Sequence, residues 1–400
     1  VVDEEQAGHT YILARPEVTM DFATLALIAL IGILGPLLAW PRGLHLPVVL
    51  GELAAGIVLG QTGLRVLHPG DSTFTFLANI GFALVMFVAG SHVPIRDQRL
   101  RAGLVTGALR AAAVGAVATG LGVVIAHAFG TGHAALYAVL MASSSAALIL
   151  PIIDSLHLGG PHVLRLLPQV AIADTASIVA LPLAIDPKHA GRAALGALAI
   201  MGCAVALYFA LRYIENTGIR RRVHRVSQER EFAIELRVNL TILFALAALA
   251  VRTHVSIMLA GFSFGLAMAA VGEPRRLARQ LFAVTEGLFG PLFFVWLGAS
   301  LDLRDLGRHP SYIVLGAALG AGAVAAHVAM RLTGQPLAIG ALAAAELGVP
   351  IAAVTLGTQQ HLLRPGEASG LILGALITVG AAVACGGVAA RAGWVAEPAS

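Results

Sequence analysis

Gly90-Ser91-His92-Val93-Pro94-Ile95-Arg96-Asp97 reads against Gly298-Ala299-Ser300-Leu301-Asp302-Leu303-Arg304-Asp305, the same pattern written twice about 208 residues apart. His45-Leu46-Pro47-Val48-Val49-Leu50 through Gly56 reads in the same way against His254-Val255-Ser256-Ile257-Met258-Leu259 through Gly265. One such match between glycine-rich apolar stretches is within chance; two in register indicate an internal duplication. Seven hydrophobic spans separate the copies. That number is odd, so the second copy enters a bilayer upside down. Inverted repeats of this kind characterise secondary transporters, whose ion site lies at mid-membrane between the copies.

Composition supports the bilayer. Of 400 residues, 58% are apolar and only 12% charged, about half the charged share of a soluble domain. A chain this apolar could not cover itself with polar surface, so lipid is its solvent. The apolar runs are unbroken and span-length, whereas a membrane β-barrel would alternate over short segments. The expectation is an all-α polytopic membrane protein. Lys and Arg number 26 against 22 acids, and Lys188 is the only lysine. So small a surplus does not point to nucleic acid and is better explained by the loops of a membrane protein. Cys203 and Cys385 both fall inside apolar spans and offer neither a disulfide framework nor a metal cluster. The first 19 residues are acidic and lack an apolar core, so they do not read as a signal peptide.

Thirteen spans are expected, near 21–41, 46–62, 74–95, 103–129, 134–155, 164–186, 191–214, 238–252, 254–271, 280–300, 311–332, 335–358 and 366–392. Residues 1–20 form a tail, 21–190 the first repeat, 191–237 a linker helix with a basic loop, 238–393 the inverted repeat and 394–400 a second tail. Arg220, Arg221, Arg222, Arg225 and Arg230 share one side of the membrane with Arg275, Arg276 and Arg279, and with Arg96, Arg99 and Arg101. The positive-inside bias then places the N-terminus outside and the C-terminus in the cytoplasm, in a cytoplasmic-membrane protein. The basic run after span seven reads as a loop facing anionic lipid.

Ion sites in such folds form where helices are broken, because freed carbonyls and half-helix ends coordinate the ion. Span five carries Ser143-Ser144-Ser145 before Pro151, and span twelve carries Glu346-Leu347-Gly348-Val349-Pro350. The repeat offset carries span five into span twelve, as an inverted pair requires. Asp174 stands within Ala171-Ile172-Ala173-Asp174-Thr175-Ala176-Ser177, a lone acid at mid-span. A charge at that depth is costly and by default marks an ion or proton path.

At these residues the sequence resembles the monovalent cation:proton antiporter superfamily, in the branch of bacterial sodium/proton and Kef-type potassium/proton exchangers. Pro47-Val48-Val49-Leu50-Gly51-Glu52 followed by Ala55-Gly56-Ile57-Val58-Leu59-Gly60 looks like that family's second-helix signature. Met86-Phe87-Val88-Ala89-Gly90 and Pro291-Leu292-Phe293-Phe294-Val295-Trp296-Leu297-Gly298 are similar to two more, and the resemblance runs from about residue 22 to 392. It implies a homodimeric elevator with two crossed, discontinuous helices in spans five and twelve. It also implies that Asp174 takes either a proton or a cation, with Thr175 and Ser143–Ser145 helping to coordinate the ion.

The departures are specific. Ala173 stands where many relatives have a second acid or an amide, and the family lysine of span eleven, counted back from Arg331, falls near Gly322. Losing both partners of that ion pair together avoids stranding a buried charge. His92 replaces a family glutamate. His327 offers a proton relay or a neutral ring bonded to a carbonyl; Glu346 is a possible accessory carboxylate, Arg110 is expected to snorkel, and Glu286 is given no role. The function expected is exchange of protons for Na⁺ or K⁺ through one titratable Asp, without a cofactor or enzymatic chemistry. The rival is an antiporter-like protein that has lost ion coupling and binds or exports an organic molecule, for which Ala173, Gly322 and His92 speak.

Overall fold

The computed structural model of the protein describes residues 21–39, 48–91, 98–186, 188, 190–217, 233–253, 255–272 and 275–394. His92, the stretch 40–47, the Arg220–Arg230 run and the side chains of Arg96, Arg99, Arg101, Arg275, Arg276 and Arg279 lie outside them. Among the described residues the chain is helical throughout. The first repeat supplies α1 (Phe22–Gly32), α2 (Leu34–Ala39), α3 (Val48–Leu59), α4 (Ser72–Ser91), α5 (Gln98–Phe129), α6 (Ala134–Ala142), α7 (Ala146–Ser155) and α8 (Pro161–Ile185). A linker helix follows, α9 (Ala190–Asn216). Then come α10 (Ile234–Arg252), α11 (Ile257–Val271), α12 (Arg275–Val284), a π turn over Thr285–Phe289, α13 (Gly290–Ser300) and α14 (Leu303–Arg308). The chain continues through α15 (Pro310–Val328), a 3₁₀ turn over Ala329–Thr333, α16 (Leu337–Ala343), α17 (Gly348–Gln359) and α18 (Glu367–Arg391).

Nine helical stretches among the described residues are long and apolar enough to cross a membrane. The other expected spans correspond to the shorter apolar helices α1–α2, α3 and α11 and to the divided pair α6–α7. Large side chains such as Phe209, Tyr213 and Val105 face outward, as they do where lipid is the solvent.

The duplication is visible in how the helices pack. α13 of the second repeat lies along α3 of the first, and α4 of the first lies along α11 of the second. Exchanging the repeats turns one pair into the other. Glycine permits both contacts: a Cβ at Gly298 would overlap Leu53 O and one at Gly56 would overlap Val295 O, while a Cβ at Gly90 would overlap Phe262 O and one at Gly265 Phe87 O. Small residues let membrane helices approach backbone to backbone, where dispersion replaces the hydrophobic drive absent in lipid. The quoted repeat motifs are thus the sites at which each copy grips the other. A second group of helices follows the same symmetry, with α8 on α5 and α18 on α15. It encloses the two divided helices.

Candidate functional site: the crossed helix breaks

Ser143, Ser144 and Ser145 interrupt the first divided helix. Ser143 adopts an extended backbone and its Oγ donates to Leu140 O at 2.7 Å, satisfying a carbonyl at the end of α6. Ser145 O accepts from Ile149 N at 2.9 Å and so starts α7. In the second divided helix Ala344 to Leu347 intervene between α16 and α17. The two breaks meet, for Ser145 N donates to Ala345 O at 2.8 Å and Ser144 Oγ to Ala343 O at 2.6 Å.

Asp174 reaches this crossing from α8. Its Oδ2 accepts from Ala146 N, the first residue of α7, at 3.0 Å, and the side chain is buried. The freed N–H groups and the partial positive charge of a helix N-terminus favour an anion there. Glu346 does the corresponding thing at the other break, its Oε1 accepting from Val349 N at 2.7 Å. Thr378 of α18 faces Glu346, with its Oγ1 3.3 Å from both Glu346 N and Glu346 O.

A cavity of about 450 Å³ opens onto Ser145, Ala146, Leu347 and Gly348, between the crossing and the α4–α13 layer. Glu286, on the π turn, lines it at some remove from the breaks, and π turns inside helices often mark functional sites. Sequence reading gave Glu286 no part, although an acid inside an apolar run was signal enough. Glu52 of α3 is a further buried acid of the first repeat.

The expected site residues separate into two groups. Asp174, Ser143, Ser144, Ser145 and Glu346 meet at the crossing, and His327 joins them: its Nε2 lies 3.2 Å from Ser144 Oγ, and its Nδ1–H donates to Ala323 O at 2.9 Å. Thr175 does not join them. Its hydroxyl donates to Ala171 O within α8, and the side chain lines a separate crevice with Met201, Leu259 and Ser263. A Cβ at Gly322 would meet Met141 and face α5, so position 327 is the one that reaches the crossing from α15. Arg110 carries its head to the end of span eleven and meets protein there. It is buried, and its Nε and Nη2 donate to Thr333 Oγ1 and Thr333 O at 3.0 and 3.1 Å, covering the C-terminal end of the 3₁₀ turn where carbonyls favour a cation.

A further network went unseen in the sequence. Glu367, fully buried at the start of α18, lies 2.7 Å from both His133 Nδ1 and Tyr137 Oη and accepts from Arg364 N at 3.0 Å. It ties the N-terminal end of α6 to α18.

Comparison with known proteins places this geometry. The chain is 29% identical over 298 residues to the Na⁺/H⁺ antiporter NhaS5 of Synechocystis, covering 74% of this chain and 40% of that one. It is 29% identical over 281 residues to the glutathione-regulated potassium-efflux system protein KefC of Enterobacter sp. (strain 638), covering 68% of this chain and 44% of that one. It therefore spans less than half the length of either relative. The solved structure of the sodium proton antiporter MjNhaP1 from Methanocaldococcus jannaschii superposes with a TM-score of 0.65 over 92% of this chain and 97% of that one, at 16% identity, a likeness of fold. Residues 26–386 match the family described as sodium/hydrogen exchanger, transmembrane, and the chain belongs to that family.

Proposed function

We propose that this chain is a secondary antiporter exchanging protons for a monovalent cation, Na⁺ or K⁺, across the cytoplasmic membrane, and that Asp174 is the group for which the two compete. The observation that carries the reading is the placement of Asp174, buried against the first N–H of a half-helix, at a break reached by a cavity. An uncompensated carboxylate is strongly disfavoured in a water-poor interior. Either a proton or a cation neutralises it, and each excludes the other. A core that moves only when neutralised then couples the two flows. Ser145, with the carbonyls freed at the breaks, supplies oxygen ligands to a partly dehydrated ion. Thr175 faces the other crevice and takes no direct part.

The names of NhaS5 and KefC support cation exchange over transport of an organic molecule, and between them they name both candidate ions. A homodimer working as an elevator, with its N-terminus outside and its C-terminus in the cytoplasm, completes the proposal. The test is purified protein in liposomes carrying an internal pH dye. Asp174→Asn keeps the shape and the acceptor for Ala146 N but cannot release a proton, so cation-driven proton movement should vanish while folded yield stays normal. Full exchange by the Asn variant would overturn the assignment.

A further inference from the structure

Asp174 is one of two carboxylates at the crossing, and both are held in the same way. Asp174 Oδ2 accepts from the N-terminus of α7, and Glu346 Oε1 accepts from the first turn of α17. Glu346 is only 2% exposed and its Oε2 has no hydrogen-bond partner. Asp174 is held on Ala146 N, next to the Ser145 N that meets Ala345 O, so the two acids flank the same contact. Thr378 faces Glu346 from α18 and carries no charge. His327, the basic group at the crossing, touches Ser144 and Ala323 O and neither carboxylate. Two bare carboxylates at this depth require neutralisation from outside the protein.

Coordination decides how. The half-positive N-termini of α7 and α17 are balanced at the crossing by the half-negative C-termini of α6 and α16, so the helix ends add no net charge. A dehydrated monovalent cation needs several oxygen ligands. The unpartnered Oε2 of Glu346 is an oxygen free to coordinate it beside Asp174, as an anionic ligand once its proton has left.

We propose that Glu346 is a second proton-binding group of the transport site, so that one cation replaces two protons, one from Asp174 and one from Glu346. The proposal rests on Asp174 as the exchange group. In the proton-loaded state both carboxyls carry O–H bonds. Cation entry breaks both, and the two protons leave to the side from which the cation came. Each cycle therefore moves one net charge.

The experiment uses the full chain in liposomes, with potential held at zero by equal tetraphenylphosphonium on both faces, first with Na⁺ and then with K⁺ as the probe. Against a tenfold proton gradient, net proton movement should cease at a hundredfold cation gradient. Applying 100 mV should move that balance point about fifty-fold, as expected for one charge. Glu346→Gln retains an oxygen for Val349 N yet cannot release a proton, so its balance point should fall to tenfold and lose its response to voltage. Glu346→Asp should keep the hundredfold value. A wild-type balance at tenfold, indifferent to voltage, overturns the proposal without any variant. A hundredfold balance that survives Glu346→Gln overturns it too, by assigning the second proton elsewhere. Exchange that persists in Asp174→Asn speaks instead against the earlier reading.

Discussion

Ser144 is the residue whose removal tests the architecture of the crossing most directly. Its hydroxyl donates to Ala343 O at 2.6 Å and lies 3.2 Å from His327 Nε2, and both Ser144 and His327 are fully buried. The hydroxyl has one proton for the two acceptors, so Ser144→Ala costs the equivalent of one stranded polar group, about 1–3 kcal/mol, in a site that water does not reach. In a His327→Leu background the nitrogen is already gone and the proton serves Ala343 O alone. The double-mutant cycle should therefore return a coupling of about 1 kcal/mol, measurable by titrating the purified protein from native to SDS-rich micelles. Single-variant costs that add to within about 0.5 kcal/mol would mean that the two side chains act independently, and would refute the contact.

The glycine contacts make a paired prediction. Gly298→Ala and Gly90→Ala should each lower stability by about 1–3 kcal/mol through overpacking, whereas Gly115→Ala, on a helix with open space around it, should be neutral or mildly stabilising in the same titration. A cysteine at Gly70, where a Cβ meets open space, should be labelled by impermeant reagents from outside, and a cysteine at Ser227 in the basic run only from the cytoplasm; labelling of both from one side would break the orientation and the inverted repeat with it.

Much of the crossing was legible because its residues violate the apolar rule of a span. Three consecutive serines and a lone aspartate stand out against leucine and alanine, and the repeat offset carries span five into span twelve. What escaped depended on angle. Asp174 and Thr175 are neighbours in sequence but stand 100° apart around α8, so they cannot both face α7. Thr175 accordingly opens on the crevice beside α9 and α11. Gly322 and His327 both lie on α15, five residues and therefore about 140° apart around the helix. His327 faces Ser144, while a Cβ at Gly322 would meet Met141. The burial of Arg110 depends on Thr333, 223 residues away, and no local pattern encodes such a partner.

The missing acid at position 173 takes on a different meaning beside these contacts. Ala173 is buried on α8 next to Asp174 but around the helix from it, so an acid there would need its own counter-charge. Position 322 could not provide one, since its side chain would point at Met141 and away from the crossing. Glu346 avoids the difficulty because it stands on the break itself. There the N–H groups of α17 supply the positive end that a lysine would otherwise provide. The complementary ends, the C-termini of α6 and α16, are met by hydroxyl donors, Ser143 on Leu140 O and Ser144 on Ala343 O. Each polarity of half-helix end thus meets the side chains suited to it. The crossing keeps two carboxylates for exchange without a permanent basic partner, and the charge that moves is carried by the cation and the protons alone.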